Sequence, residues 1–135
     1  MSDCLFCKIV AGDAPSSKLY EDDEVCVILD RFPKNEGECL VITKNHYENI
    51  FDLEPSLGKK IFDISKKTAE KLKAELPIDG INLLQNNGEC AGQMIKHFHM
   101  HIIPRKAGDS VAFIGERLDP SESEFESIKE KLKLS

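Results

Sequence analysis

The stretch His97-Phe98-His99-Met100-His101-Ile102-Ile103 decides how this chain is read. Side chains of an extended strand alternate between two faces. His97, His99 and His101 therefore share one face, successive ones roughly 6.5–7 Å apart, and Phe98, Met100 and Ile102 take the other, toward a core. Three aligned imidazoles have few uses. They can ligate zinc or iron through nitrogen, or act as nucleophile and acid–base groups near neutral pH. They can also be an ordinary solvated strand face, against which the strict alternation with large apolar residues speaks. A catalytic metal held by all three is the weaker of the chemical readings, because residues two apart on a strand spread along a line while metal ligands usually converge from different elements.

Outward from this stretch the chain shows four further strand-like runs. Lys18–Glu21 is short. Val25–Leu29 (VCVIL) and Cys39–Thr43 (CLVIT) are rich in β-branched residues, and the turn formers Pro33, Asn35 and Gly37 lie between them, as in a hairpin with a long loop. Ile81–Asn86 (INLLQN) precedes a glycine-bounded loop, Asn87–Gly92 (NGECAG), that leads to the histidines. Between the third and fourth runs the period changes. Leu57, Ile61, Ile64, Thr68, Leu72 and Leu76 recur at spacings of three and four, which predicts one long helix over 55–76, opened by Pro55 and stopped by Pro77. Its lysines fall largely on the opposite, water-facing side. A short helix is expected from Cys4 to Gly12. Asp119-Pro120 opens a C-terminal helix with Phe125, Ile128 and Leu132 on one face, its acidic first turn suited to a helix N-terminus. Most links are too short for parallel crossovers. The expected class is α+β: a mainly antiparallel five-stranded sheet, one long helix and a C-terminal helix.

The 135 residues suit a single domain, with a core over about 4–109 and a tail and helix over 110–135. The formal net charge of −6 disfavours nucleic acid and anionic membranes as partners, so a phosphate site must be made positive locally. Neither a membrane-spanning run nor a signal peptide is evident, and the cytoplasm is the expected location. The five cysteines, Cys4, Cys7, Cys26, Cys39 and Cys90, are odd in number, so burial or metal binding is expected rather than disulfides. Cys26 and Cys39 lie within strands. Cys4-x-x-Cys7 alone offers two thiolates, and it lacks the strand-to-helix setting of a redox pair.

The pattern His-φ-His-φ-His-φ-φ, with φ apolar, resembles the signature of the histidine-triad (HIT) superfamily of nucleotide hydrolases and transferases, and all seven positions match. The surroundings are similar too: Asn86 and Gly88, then Ala91-Gly92-Gln93 before the triad, and Pro104-Arg105-Lys106-Ala107-Gly108-Asp109 after it. The resemblance spans roughly residues 4–109, and the chain looks like a zinc-containing bacterial-type member with features of the Hint and Fhit branches. It implies that His99 attacks the α-phosphorus of a purine nucleotide derivative, an adenosine phosphoramidate or a diadenosine polyphosphate, to form a nucleotidyl-histidine that water then hydrolyses. It also implies that His101 and His97 complete the catalytic group. Asn86, Gly92 and Gln93 would serve the phosphates, and Asp30 the ribose. Arg105 and Lys106 would add positive charge nearby or form a solvated strand end. Cys90, in the loop near the phosphates, is a candidate modifiable thiol. Met94 departs from the Ser or Thr that many members carry after the glutamine, so a purine-nucleotide-binding regulatory module with little turnover is the alternative function. One branch of the family joins an N-terminal Cys-x-x-Cys to an upstream histidine and the first triad histidine. The resemblance thus implies a structural zinc on Cys4, Cys7, His46 and His97. It further implies a homodimer.

Overall fold

The protein is described here by a computed structural model covering residues 3–134. Helix α1 (Leu5–Ala11) is followed by strands β1 (Lys18–Glu21), β2 (Val25–Leu29) and β3 (Cys39–Thr43). Helix α2 (Leu57–Glu75), strands β4 (Gly80–Leu84) and β5 (His99–Arg105), and helix α3 (Glu122–Leu132) complete the order. The strands form one sheet in the order β1-β2-β3-β5-β4, with every neighbouring pair antiparallel. The architecture is the expected α+β class.

Cross-strand partners share a face, so the register sorts the side chains. Val27, Val41 and Met100 stand in one row and Leu29, Cys39 and Ile102 in the next. On the opposite face Cys26, Ile42 and His99 align, then Ile28, Leu40 and His101. Helix α2 covers the first face: Leu57, Ile61, Ile64 and Leu72 pack with Val25, Val27, Val41, Phe98 and Ile102. Phe6 and Ile9 of α1 cover the second with Cys26, Ile28, Leu40 and Ile42. Both faces of β2 and β3 are thus shielded, which is why these strands read as continuous apolar runs and not as alternating ones.

Helix α2 buries the face predicted from its spacing. It starts at Leu57, two residues later than expected, because Pro55 closes a turn in which its carbonyl accepts from the Gly58 N–H at 3.0 Å. It ends as Leu76, forced toward extended backbone by Pro77, takes φ −121° and ψ 147°. Gly37, in the turn before β3, has φ +93°, and a Cβ there would sit 2.7 Å from Leu76 Cδ1. That turn therefore packs directly on the end of α2.

Strands β4 and β5 differ from expectation at their ends. Strand β4 stops at Leu84, where the side chains of Gln85 and Asn87 turn to bond each other. Strand β5 begins at His99 and not at His97. The Phe98 N–H donates to Tyr47 O at 2.6 Å and the His97 N–H to Ile95 O at 2.9 Å, so both leave the ladder. The C-terminal helix begins at Glu122, where Ser121 and Glu124 form a reciprocal capping box, and not at Asp119-Pro120. Phe125, Ile128 and Leu132 lie exposed along it. No helix among the described residues is long and apolar enough to cross a membrane.

Candidate functional site

Departure of His97 from the strand gives it a separate task. The start of α1, the segment after β3 and the approach to β5 bring Cys4, Cys7, His46 and His97 together, with their ligand atoms within 4.8 Å of one another. His97 Nδ1 lies 3.3 Å from Cys4 Sγ, 3.5 Å from Cys7 Sγ and 3.2 Å from His46 Nδ1, and Cys7 Sγ lies 3.2 Å from His46 Nδ1. Tetrahedral zinc with ordinary Zn–S and Zn–N bonds spaces its ligand atoms about 3.3–3.8 Å apart, so these donors fit. The tautomer fits as well. His97 Nε2–H donates to the Thr43 carbonyl at 2.7 Å, which leaves the Nδ1 lone pair facing the cluster. Burial holds the His97 ring below the usual histidine range, as a neutral ligand requires.

His99, first residue of β5, is 7% exposed. Its Nδ1–H donates to the His97 carbonyl at 2.7 Å. A carbonyl only accepts, so the bond fixes the tautomer and leaves the lone pair on Nε2. The Phe6 ring stands edge-on at 5.0 Å. Burial pushes the His99 pKa down to about 4, so the ring is neutral at pH 7. A neutral imidazole with one nitrogen anchored and the other free is a competent nucleophile.

The His101 ring lies 5.0 Å from that of His99, with Nδ1 2.9 Å from Glu38 Oε2 and 4.0 Å from Asp30 Oδ2. Asp30 Oδ1 accepts from the Phe32 N–H at 2.9 Å, and burial next to Glu38 raises its pKa above the usual carboxylate value. Glu38 is only 1% exposed. Its burial works against ionisation, but bonds from the Lys34 N–H and His101, with the Lys34 charge, outweigh it and hold the carboxyl below its ordinary range. Sequence reading passed over Glu38. It stands in a glycine-bounded turn 63 residues from His101, and only the β3–β5 pairing joins them.

The loop before β5 is ordered by its own bonds. A single 3₁₀ turn, Glu89–Ala91, sits between Gly88 and Gly92, each at φ 95°. The Gln93 side chain is buried: Oε1 accepts from the Gly88 N–H at 2.8 Å, and Nε2 donates to the carbonyls of Glu48 and Ile95. Asn86 Nδ2 reaches the Gly92 carbonyl at 3.4 Å. The side chains of Asn86 and Gln93 thus hold the loop in shape around Gly92. Met94 is 91% exposed. Arg105 pairs with Asp109 through two nitrogens and also donates to Asn82 Oδ1 and Val111 O. Its charge ties β5 to the following turn, and it is not a free cation at a substrate site. Cys26 and Cys39 are buried and Cys90 is exposed.

A family profile described as "HIT domain" matches residues 11–108. A crystal structure of a HIT family protein from Bacillus anthracis is 38% identical, with a TM-score of 0.90 over 96% of this chain and 94% of that one. A Zn-bound histidine triad family protein from Mycobacterium smegmatis is 36% identical, with a TM-score of 0.78 over 91% and 87% of the two chains. "Adenylylsulfatase HINT3" of Arabidopsis thaliana is 43% identical over 108 residues, which are 80% of this chain and 55% of that protein.

Proposed function

From the premise that this chain belongs to the HIT family, we propose that it is a nucleotidyl hydrolase or transferase. It would cleave purine nucleotide derivatives, adenosine phosphoramidates or diadenosine polyphosphates, at the α-phosphate. The observation that carries this reading is the state of His99: buried, neutral, with Nδ1–H bound to the His97 carbonyl and Nε2 free. Nε2 attacks phosphorus, a P–N bond forms, and the leaving group departs with its electron pair and a proton from His101. Water then attacks phosphorus, loses a proton to His101, and the P–N bond breaks. One hard displacement becomes two easier ones. The loop that Asn86 and Gln93 shape around Gly92 would border the phosphates, and Asp30 would accept from the ribose hydroxyls. The related adenylylsulfatase supports an adenylyl group as the part transferred.

Cys4, Cys7, His46 and His97 would hold zinc in this reading. With four protein ligands the metal would supply charge neutralisation and a cross-link, and the Zn-bound relative supports the assignment. His97 then contributes to catalysis by lending its carbonyl to His99. A homodimer joined along the sheet edge and α2 completes the proposal: β4 is an edge strand, with Leu83 on it and Phe62 on α2 exposed. The thiols of five free cysteines suit a cytoplasmic setting.

Intact-protein mass spectrometry tests the chemistry. Wild type mixed with an adenosine phosphoramidate should gain an adenylyl mass. His99→Ala should gain none, should lose turnover by at least about 10³-fold, and should still bind nucleotide. Nucleotide binding by wild type with neither adduct nor turnover would establish the regulatory-module alternative instead.

A further inference from the structure

We propose that Glu38 is the positioning residue of His101, and that its buried carboxylate is what makes His101 able to protonate the leaving group. The inference rests on the nucleotidyl-transfer reading and adds to it a residue that this reading does not use.

The geometry is one-sided. Glu38 is almost fully enclosed, and each of its oxygens faces a donor. Oε1 accepts the Lys34 N–H at 2.7 Å, and Oε2 lies 2.9 Å from His101 Nδ1 and 3.6 Å from Lys34 Nζ. A carboxylate accepts only, so the proton of the His101 contact sits on Nδ1, and Nε2 is the nitrogen left for the substrate. The other groups facing His101 are the Asp30 carboxyl at the end of β2, and the His99 ring beside it on β5. Leu40 and Leu84 are its cross-strand neighbours. Both carboxyl groups thus approach the Nδ1 end of the ring.

This arrangement sets the course of the proton. In the first step the bond from phosphorus to the leaving atom breaks and the P–Nε2 bond to His99 forms. The leaving atom takes the proton from His101 Nε2, and His101 becomes neutral while its Nδ1–H stays on Glu38. In the second step the P–O bond to water forms as the P–Nε2 bond to His99 breaks, His101 Nε2 takes the proton from the water, and the imidazolium is restored against the same carboxylate. A buried anion fixed behind an imidazole orients the ring and offsets its positive charge, as the aspartate does in a serine–histidine–aspartate triad.

Glu38→Gln keeps the shape of the side chain and removes its charge. On an adenosine phosphoramidate with an alkylamine leaving group, kcat should fall about 10- to 100-fold with KM nearly unchanged. On an adenosine 5′-phosphate ester of 4-nitrophenol, whose leaving group needs no proton, the loss should be below about threefold. The alkylamine defect should vanish in a His101→Asn background, because Glu38 acts through that ring. In wild type, ¹⁵N NMR of the imidazoles should show the neutral His101 protonated on Nδ1.

Equal losses on both substrates, a full Glu38→Gln effect in the His101→Asn background, or a neutral His101 protonated on Nε2 would each overturn the proposal. The NMR measurement needs no variant, so it decides even where Glu38→Gln fails to fold. If wild type turns over neither substrate, the nucleotidyl-transfer reading fails on its own, and the tautomer still reports separately on the Glu38–His101 pair.

Discussion

The three histidines of the triad have the same side chain and three different states. His97 donates from Nε2 and presents Nδ1 to the cysteines, whereas His99 donates from Nδ1 and keeps Nε2. His101 has a carboxylate at Nδ1 instead of a carbonyl. In each case the partner of one nitrogen decides the use of the other. For His99 the consequence for pH has a definite sign. Its folded pKa of about 4 lies below the roughly 6.5 of an unfolded histidine. Between those values the unfolded chain binds more protons, so stability falls as pH drops through that window, and above it His99 costs nothing. As the proposed nucleophile, His99 likewise stays neutral at pH 6. A pH–rate profile of kcat/KM should therefore lack an acid limb near 6.5 attributable to His99; a loss of one nucleophile with a midpoint there would contradict the assignment.

Among the elements, α1 is the one whose place depends most on its ends. It is seven residues long, too short to hold a helix by itself. Two anchors fix it: the apolar contact of Phe6 and Ile9 on the sheet, and the junction of Cys4 and Cys7 with His46 and His97. Phe6 also packs edge-on against the rings of both His97 and His99, so loss of the junction should loosen the wall behind His99. Removal of the proposed zinc by a mild chelator, or Cys4→Ser, should lower the melting temperature by roughly 5–15 °C, in line with a loss of about 2–3 kcal/mol. Turnover should persist in whatever fraction remains folded. Calorimetry and activity measured on the same samples check this; abolished turnover at an unchanged melting temperature would show the metal to be catalytic.

At the scale of the whole molecule the sheet has two edges, β1 and β4, and an uncovered edge invites pairing with another chain. Strand β4 carries Leu83 43% exposed, next to β5 and therefore next to the triad. Pairing of two copies there would stiffen the strand that bears His99 and His101. Sedimentation should give twice the 15.2 kDa chain mass. Leu83→Lys should shift the protein to a single chain mass while leaving its circular dichroism unchanged. A wild-type single-chain mass at tens of micromolar would remove the edge pairing from the proposal.

What the amino-acid sequence determined by itself is local and periodic. Alternation placed His99 and His101 on one face of a strand, three–four spacing picked out the buried side of α2, and Pro77 and Gly12 marked helix ends, because each of these follows from the geometry of a few neighbouring residues. The whole triad motif was legible for the same reason: it is seven consecutive positions. Cys4, Cys7, His46 and His97 were assembled beforehand only through resemblance to a family, since nothing local joins residues this far apart. The tertiary structure alone decided the rest. Hydrogen bonds to Tyr47 and Ile95 took His97 and Phe98 out of the strand, and the Asp109 partnership removed Arg105 from the candidate cations. The pairing of β3 with β5 set the Glu38 carboxylate behind His101. Such contacts depend on which strands become neighbours, and that is settled by burial of apolar surface over the entire sheet rather than by any stretch of chain that can be read alone.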